Sequence, residues 1–140
     1  MSDLVVDASV TVKWFIPEIH SFEAQQLLAP GNALFGPDVL WPEFGNVLWK
    51  KVRRNEIDPT TARDAVRELE EIPLAIESSI GLTVDALQIA TETGRTVYNC
   101  LYLTLARRLD CLLVTADRRF YNAMQGTPYA GTMLWVEDVP

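Results

Sequence analysis

Leu4-Val5-Val6-Asp7-Ala8-Ser9 opens the chain with a short apolar run that ends on an aspartate, and Leu112-Leu113-Val114-Thr115-Ala116-Asp117 repeats the pattern near the other end. Short apolar runs without polar alternation read as strands buried on both faces, the signature of a parallel sheet. In such a sheet the ligand crevice lies outside the carboxyl ends of the strands. Two strands that both finish on Asp therefore aim two carboxylates at one place.

The chain between these runs supplies the connections a parallel sheet needs. A helical segment near Val10 to Phe15 is stopped by Pro17, and Ser21 is placed to cap a second helix through Leu28, closed by Pro30-Gly31-Asn32. Residues 37–54 read as a third helix, because Leu40, Phe44, Val47, Leu48 and Val52 share one stripe at helical spacing. Asp58 caps a fourth with Pro59 at its first position, turning Ala62, Ala65, Val66, Leu69 and Ile72 inward. A short strand near Leu74 to Ile76 follows, then a fifth helix with Thr83 as cap and Gly94 at its C-terminal end. The sixth helix, Val97 to Leu109, carries Tyr98, Leu101, Tyr102, Leu105 and Leu109 on its apolar face. A strand from Cys111 to Thr115, a short helix from Asp117 and a last strand near Met133 to Val136 complete the order. Strands alternating with helices predict an α/β fold, a parallel sheet with helices on both faces. No repeat, low-complexity segment or long linker divides the chain, so residues 1–140 read as a single domain.

Composition narrows the function classes. At 140 residues, 49% of them apolar, the chain buries a core without disulfides, and Cys100 and Cys111 read as small buried hydrophobes. No apolar stretch approaches the roughly 20 residues of a membrane span. The start, Met1-Ser2-Asp3, enters a strand pattern with no basic leader, so a soluble, cytoplasmic protein is expected. The net charge of −7 argues against broad electrostatic capture of nucleic acid. Local contact stays open, since basic residues cluster at Lys50-Lys51, Arg53-Arg54, Arg107-Arg108 and Arg118-Arg119. The clusters over residues 50–54 and at Arg107-Arg108 also read as solvated helix faces and ends.

Glu43 sits at the margin of the third helix's apolar stripe, with Asn46 one turn on and Lys50 and Arg54 along the same flank. That flank can reach a crevice and contact phosphates, although a first-turn acid is also favoured by the helix dipole. Asn99, three residues after Thr96, stands where a polar side chain completes a capping box, and an acid there would serve cap and site alike. Ser9 and Thr115 are hydroxyls beside the two strand-end acids, able to cap or to hold a carboxylate in place. Several carboxylates in one crevice repel one another unless a cation sits among them, and hard oxygen ligands select Mg²⁺ or Mn²⁺. Such a site suits phosphodiester hydrolysis.

Val5-Val6-Asp7-Ala8-Ser9, Pro42-Glu43-Phe44-Gly45-Asn46-Val47-Leu48, Tyr98-Asn99-Cys100-Leu101-Tyr102-Leu103-Thr104-Leu105-Ala106 and Leu113-Val114-Thr115-Ala116-Asp117-Arg118-Arg119-Phe120 resemble, in order and spacing, the four signature segments of PIN-domain nucleases. The nearest likeness is to VapC-type toxins of prokaryotic toxin–antitoxin pairs. The resemblance implies a three-layer α/β/α sandwich with a central, mostly parallel sheet of four to five strands. It further implies an Mg²⁺- or Mn²⁺-dependent endoribonuclease acting on RNA, a homodimer, and a cognate antitoxin lying across the groove. Carried over by position, Asp7, Glu43, Asn99 and Asp117 are the catalytic and metal-binding set, with Glu43 binding metal or positioning the attacking water. Ser9, Asn46 and Thr115 support them.

Asn99 departs from the family, which usually carries Asp there. Asn offers a carbonyl oxygen without the charge, so metal affinity should fall. Two explanations fit: a natural member with weakened or altered catalysis, or a substitution that disarms a toxic nuclease. Other chemistries are excluded more firmly. His20 is the single histidine and lies in a Pro-flanked, solvent-facing stretch, which rules out H-E-x-x-H and disfavours a Ser-His-Asp triad. No glycine-rich phosphate loop occurs. The rival class is a catalytically silent PIN-like module that binds RNA or protein. Asn99 speaks for it, as do the aromatics Trp14, Phe15, Trp41, Phe44 and Trp49, of which Trp41 and Phe44 fit the core better than Trp14 or Trp49.

Overall fold

Residues 2–140 are described by a computed structural model; Met1 lies outside the described residues. β1 (Asp3–Val6) runs down the middle of a five-stranded sheet in which every pairing is parallel. On one side stand β2 (Ala33–Pro37) and β3 (Leu74–Glu77), on the other β4 (Leu112–Thr115) and β5 (Met133–Trp135), giving the order β3-β2-β1-β4-β5. The chain moves outward from β1 in one direction, then returns and moves outward in the other. That reversal falls between β1 and β4, and crevices form at such switch points. Val6 pairs with Val114, so Asp7 leaves β1 level with Thr115 and two residues short of Asp117.

Among the described residues seven α-helices cover both faces: α1 (Ala8–Thr11, prolonged by a 3-10 turn over Val12–Trp14), α2 (Ser21–Gln26), α3 (Leu40–Arg53), α4 (Pro59–Glu70), α5 (Thr83–Thr93), α6 (Val97–Arg108) and α7 (Arg118–Met124). The pleat divides β1 between them. Leu4 and Val6 join Val10, Phe44, Leu48 and Leu69 in one core, while Val5 joins Ile89, Leu103, Phe120 and Met124 in the other. Burial on both faces explains why the strands show no polar alternation. α6 is buried from Cys100 through Ala106, the mark of a helix wedged against the sheet. Each Leu it hides there is worth about 1.5–3 kcal/mol of transfer free energy.

Three-layer α/β/α packing thus stands as expected, and the sheet is wholly parallel with five strands. The element order needs one correction, the second strand. β2, Ala33-Leu34-Phe35-Gly36-Pro37, was absent from the sequence-based order, because Gly and Pro both weaken a strand reading. Pairing on both sides imposes the extended form regardless, with β1 through Leu34 and with β3 through Phe35 and Gly36. The third helix consequently begins at Leu40 rather than Pro37.

Two expected caps also move. The cap position of α2 is His20, at φ 66, and Ser21 instead accepts a hydrogen bond from the Glu18 N–H. Thr83 is the first residue of α5, its hydroxyl donating to the Ser79 carbonyl. Asp58 and Thr96 cap as expected, through the N–H groups of Thr61 and Asn99, Asp117 caps the short helix expected to start from it through the Phe120 N–H, and Gly94 closes α5 at φ 74. Trp14 belongs to the core, 7% exposed, its indole N–H donating to Ala24. Tyr98 leaves it, 60% exposed. His20 is tucked edge-on against Trp135 instead of facing solvent, and of the two free cysteines only Cys100 is fully buried.

Candidate functional site

A groove of about 580 Å³ opens at the carboxyl ends of β1 and β4. Asp7 and Ser9 enter it from the β1–α1 junction, Glu43, Asn46 and Lys50 from α3, Tyr98, Asn99 and Tyr102 from α6, and Asp117 from the end of β4. Six of the seven residues singled out in the sequence therefore line one groove. The seventh, Thr115, is fully buried behind Asp7.

The two strand-end acids are built into helix starts. Asp7 caps α1 by accepting from the Val10 N–H, and Asp117 caps α7 by accepting from the Phe120 N–H. Hydroxyls on both sides hold Asp7: Ser9 donates to Oδ1 at 2.5 Å and Thr115 to Oδ2 at 2.6 Å. Each hydroxyl oxygen is itself occupied, Ser9 accepting from the Ala116 N–H and Thr115 from the Asp117 N–H. Each hydroxyl has one proton to give, and the carboxylate oxygen is its shortest acceptor, well inside the 3.4 Å that separates the two hydroxyls. The backbone of β4's end thereby fixes the side chain at β1's end. Asn99 stands at the third helical position of α6, its N–H held by Thr96, while its side-chain amide makes no hydrogen bond among the described residues and faces the groove. The return bond of a capping box is not formed.

Residues 4–124 match the family model described as PIN domain. The chain belongs to the PIN-domain family. Its curated relatives include Ribonuclease VapC3 of Pyrobaculum aerophilum, 33% identical over 118 residues, which span 83% of this chain and 90% of that protein. Among solved structures, PAE2754 from Pyrobaculum aerophilum superposes with a TM-score of 0.69 at 24% identity, covering 98% of this chain and 93% of its own. A chain of a toxin–antitoxin complex from Klebsiella pneumoniae shares the fold at a TM-score of 0.61 and 14% identity, covering 97% and 99%.

In this PIN domain the acids are mutually uncomfortable. Asp7 is only 6% exposed, and its pKa is pushed up to about 6, chiefly by burial, with the Asp117 and Glu43 charges adding and the Ser9 and Thr115 hydroxyls opposing. Glu43 is likewise raised, first by burial and then by Asp117. The Tyr102 hydroxyl lies beside it and acts the other way. That hydroxyl is buried with no hydrogen-bond partner among the described residues, and burial together with the neighbouring Glu43 charge drives its pKa upward. Sequence reasoning took Tyr102 for core and missed its polar end. Its position three residues after Asn99, on the same side of α6, was the available clue.

The donors facing the groove are oxygens: carboxylates of Asp7, Glu43 and Asp117, and the amide of Asn99. That set fits a hard divalent cation, and Asp7 keeps acceptor capacity beyond its two hydroxyl bonds. The three carboxylates do not close on one another as tightly as His20, Glu23 and Glu137, whose ligand atoms all lie within 4.8 Å outside the groove. There Glu137 already accepts from the Trp135 indole and lies 3.6 Å from His20. Among the described residues, no helix is long and apolar enough to cross a membrane.

Proposed function

We propose that residues 1–140 form a single PIN-like domain acting as a metal-dependent endoribonuclease, the toxin of a toxin–antitoxin pair. One observation carries this reading: Asp7, Glu43, Asn99 and Asp117, from four separate elements, converge on one groove at the switch point of the sheet. The relative named Ribonuclease VapC3 and the fold shared with a toxin–antitoxin complex support the activity and an antitoxin partner. A homodimer working in the cytoplasm on cellular RNA completes the reading.

Asp7, Asp117, Glu43 and the Asn99 carbonyl would hold Mg²⁺ or Mn²⁺. When bound, the ion supplies charge neutralisation at the phosphate and a more acidic water. Ser9 and Thr115 favour the ionised form of Asp7 and aim it, because each gives its proton to one of the carboxylate oxygens. Asn46 lines the same wall one turn beyond Glu43, as a polar contact for the sugar–phosphate chain. Glu43, with a pKa above the usual range, is suited to orient an attacking water and accept its proton. Lys50 at the rim offsets the negative charge of the entering strand.

Asn99 favours a second reading, a silent module that binds RNA or protein without cutting. Mn²⁺ calorimetry and cleavage of labelled single-stranded RNA, on the wild type and Asp7→Ala, separate the two. Binding and cleavage by the wild type, both lost in the variant, are expected. A wild type that neither binds Mn²⁺ nor cleaves RNA overturns the nuclease reading in favour of the module.

A further inference from the structure

The groove does not end at Glu43. Lys50 lines it and also lines a second hollow of about 390 Å³, shared with Trp49, Arg53 and Arg54 at the end of α3. Trp49 is 52% exposed, and the Arg53 guanidinium lies over its ring at 5.3 Å from the centroid. Lys50, Arg53 and Arg54 form no ion pair among the described residues, whereas the adjacent Lys51 is tied to Glu18 and Glu56. A chain of net charge −7 thus places three cations with no carboxylate partner among the described residues around a half-exposed indole, at the exit of an acidic groove. The helix dipole accounts for cations in a last turn, but it gives no reason for an exposed tryptophan. The other tryptophans, Trp14, Trp41 and Trp135, are buried or half-buried.

We propose that Trp49 is a stacking platform for a base of single-stranded RNA, with Lys50 holding the phosphate that leads from that base toward Glu43 and Arg54 a phosphate beyond the base. The inference rests on the reading of the groove as an RNA-cleaving site and adds how the strand is gripped. An indole face accepts any base, and a neighbouring guanidinium adds cation–π attraction, so the contact tolerates sequence. Lys50 lies on the arc of α3 between Trp49 and Glu43, and Arg54 continues the Glu43 flank one turn beyond the indole. From Glu43 to Trp49 is about 9 Å along the helix axis, roughly two to three nucleotides of a stacked strand. An acidic peptide would satisfy the arginines but would leave the ring face unused, and it would have to enter beside three carboxylates.

Fluorescence anisotropy in EDTA, with a labelled mixed-sequence single-stranded RNA and a matching strand of abasic residues, tests this directly. Trp49→Ala, which opens no core cavity, should lose on the order of tenfold in affinity for the base-bearing strand. Trp49→Phe should keep most of it, and the abasic strand should bind wild type and Trp49→Ala alike. Arg54→Gln should lower the salt slope of binding by about one, a change Trp49→Ala should not make. Equal binding of base-bearing RNA by wild type and Trp49→Ala, with RNA cleavage intact, overturns the platform alone and leaves the indole to a protein partner. A wild type that neither binds nor cleaves RNA overturns the nuclease reading and the platform with it.

Discussion

Asp7→Asn keeps the shape of the side chain and its ability to cap α1 but removes a buried charge, so it is expected to stabilise the metal-free protein at neutral pH. The rise of the Asp7 pKa from 3.8 to about 6 means that the folded state binds this proton more tightly than the unfolded chain. Stability therefore falls as pH rises through that window, and above it the full cost stands, about 3 kcal/mol. Part of the gain is returned. Ser9 and Thr115 donate to different oxygens, and the amide presents a donor to one of them, losing a hydrogen bond worth about 1 kcal/mol. The net expectation at pH 7 is about 2 kcal/mol, or a melting temperature higher by roughly 5–8 °C. Thermal unfolding in EDTA across the acid range reads it: the gain should shrink from neutral pH downward and vanish below the unfolded pKa. Saturating Mn²⁺ should reverse the order, since a ligand at a hundredfold its dissociation constant stabilises its binder by about 2.7 kcal/mol. A variant no more stable than the wild type at pH 7, or a gain that ignores pH, refutes the reasoning.

Restoring the missing carboxylate with Asn99→Asp should raise both Mn²⁺ affinity and RNA cleavage, and equal cleavage by the two forms at saturating metal would sink the idea. Tyr102→Phe deletes the buried hydroxyl beside Glu43, which makes no well-formed hydrogen bond, so stability should change by less than about 1 kcal/mol. Glu43 loses the group that opposes its raised pKa, so the acid limb of the cleavage profile should move to higher pH; an unchanged profile removes Tyr102 from the site. Phe120→Ala empties a fully buried position beneath α7 and should cost about 3–5 kcal/mol in urea unfolding, with a loss under 1 kcal/mol counting against the packing described.

Much of the fold was legible because its cues are local. Asp58, Thr96 and Asp117 announce helix starts, Gly94 a helix end, and the stripe Leu40, Phe44 and Leu48 a buried helix face, each within a few residues of chain. The site was legible for the same reason, since Asp7 and Asp117 are at once strand ends and helix caps. β2 was not, because Gly36 and Pro37 mask a strand that exists only through pairing with β1 and β3. Ser21 and Thr83 mislead because a hydroxyl near a helix start can bind backbone before the helix as readily as cap it.

The sequence by itself determined that Asp7 and Asp117 stand at the carboxyl ends of strands. Parallel strands put those ends on one edge of the sheet, where the crevice lies. Only the tertiary structure decided what surrounds them. The hydroxyl clamp on Asp7 joins residues more than a hundred positions apart, through the pairing of β1 with β4. The unpartnered hydroxyl of Tyr102 at Glu43, and the choice of Trp49 over Trp14 as the exposed indole, depend on burial against distant elements, which no local pattern of residues encodes.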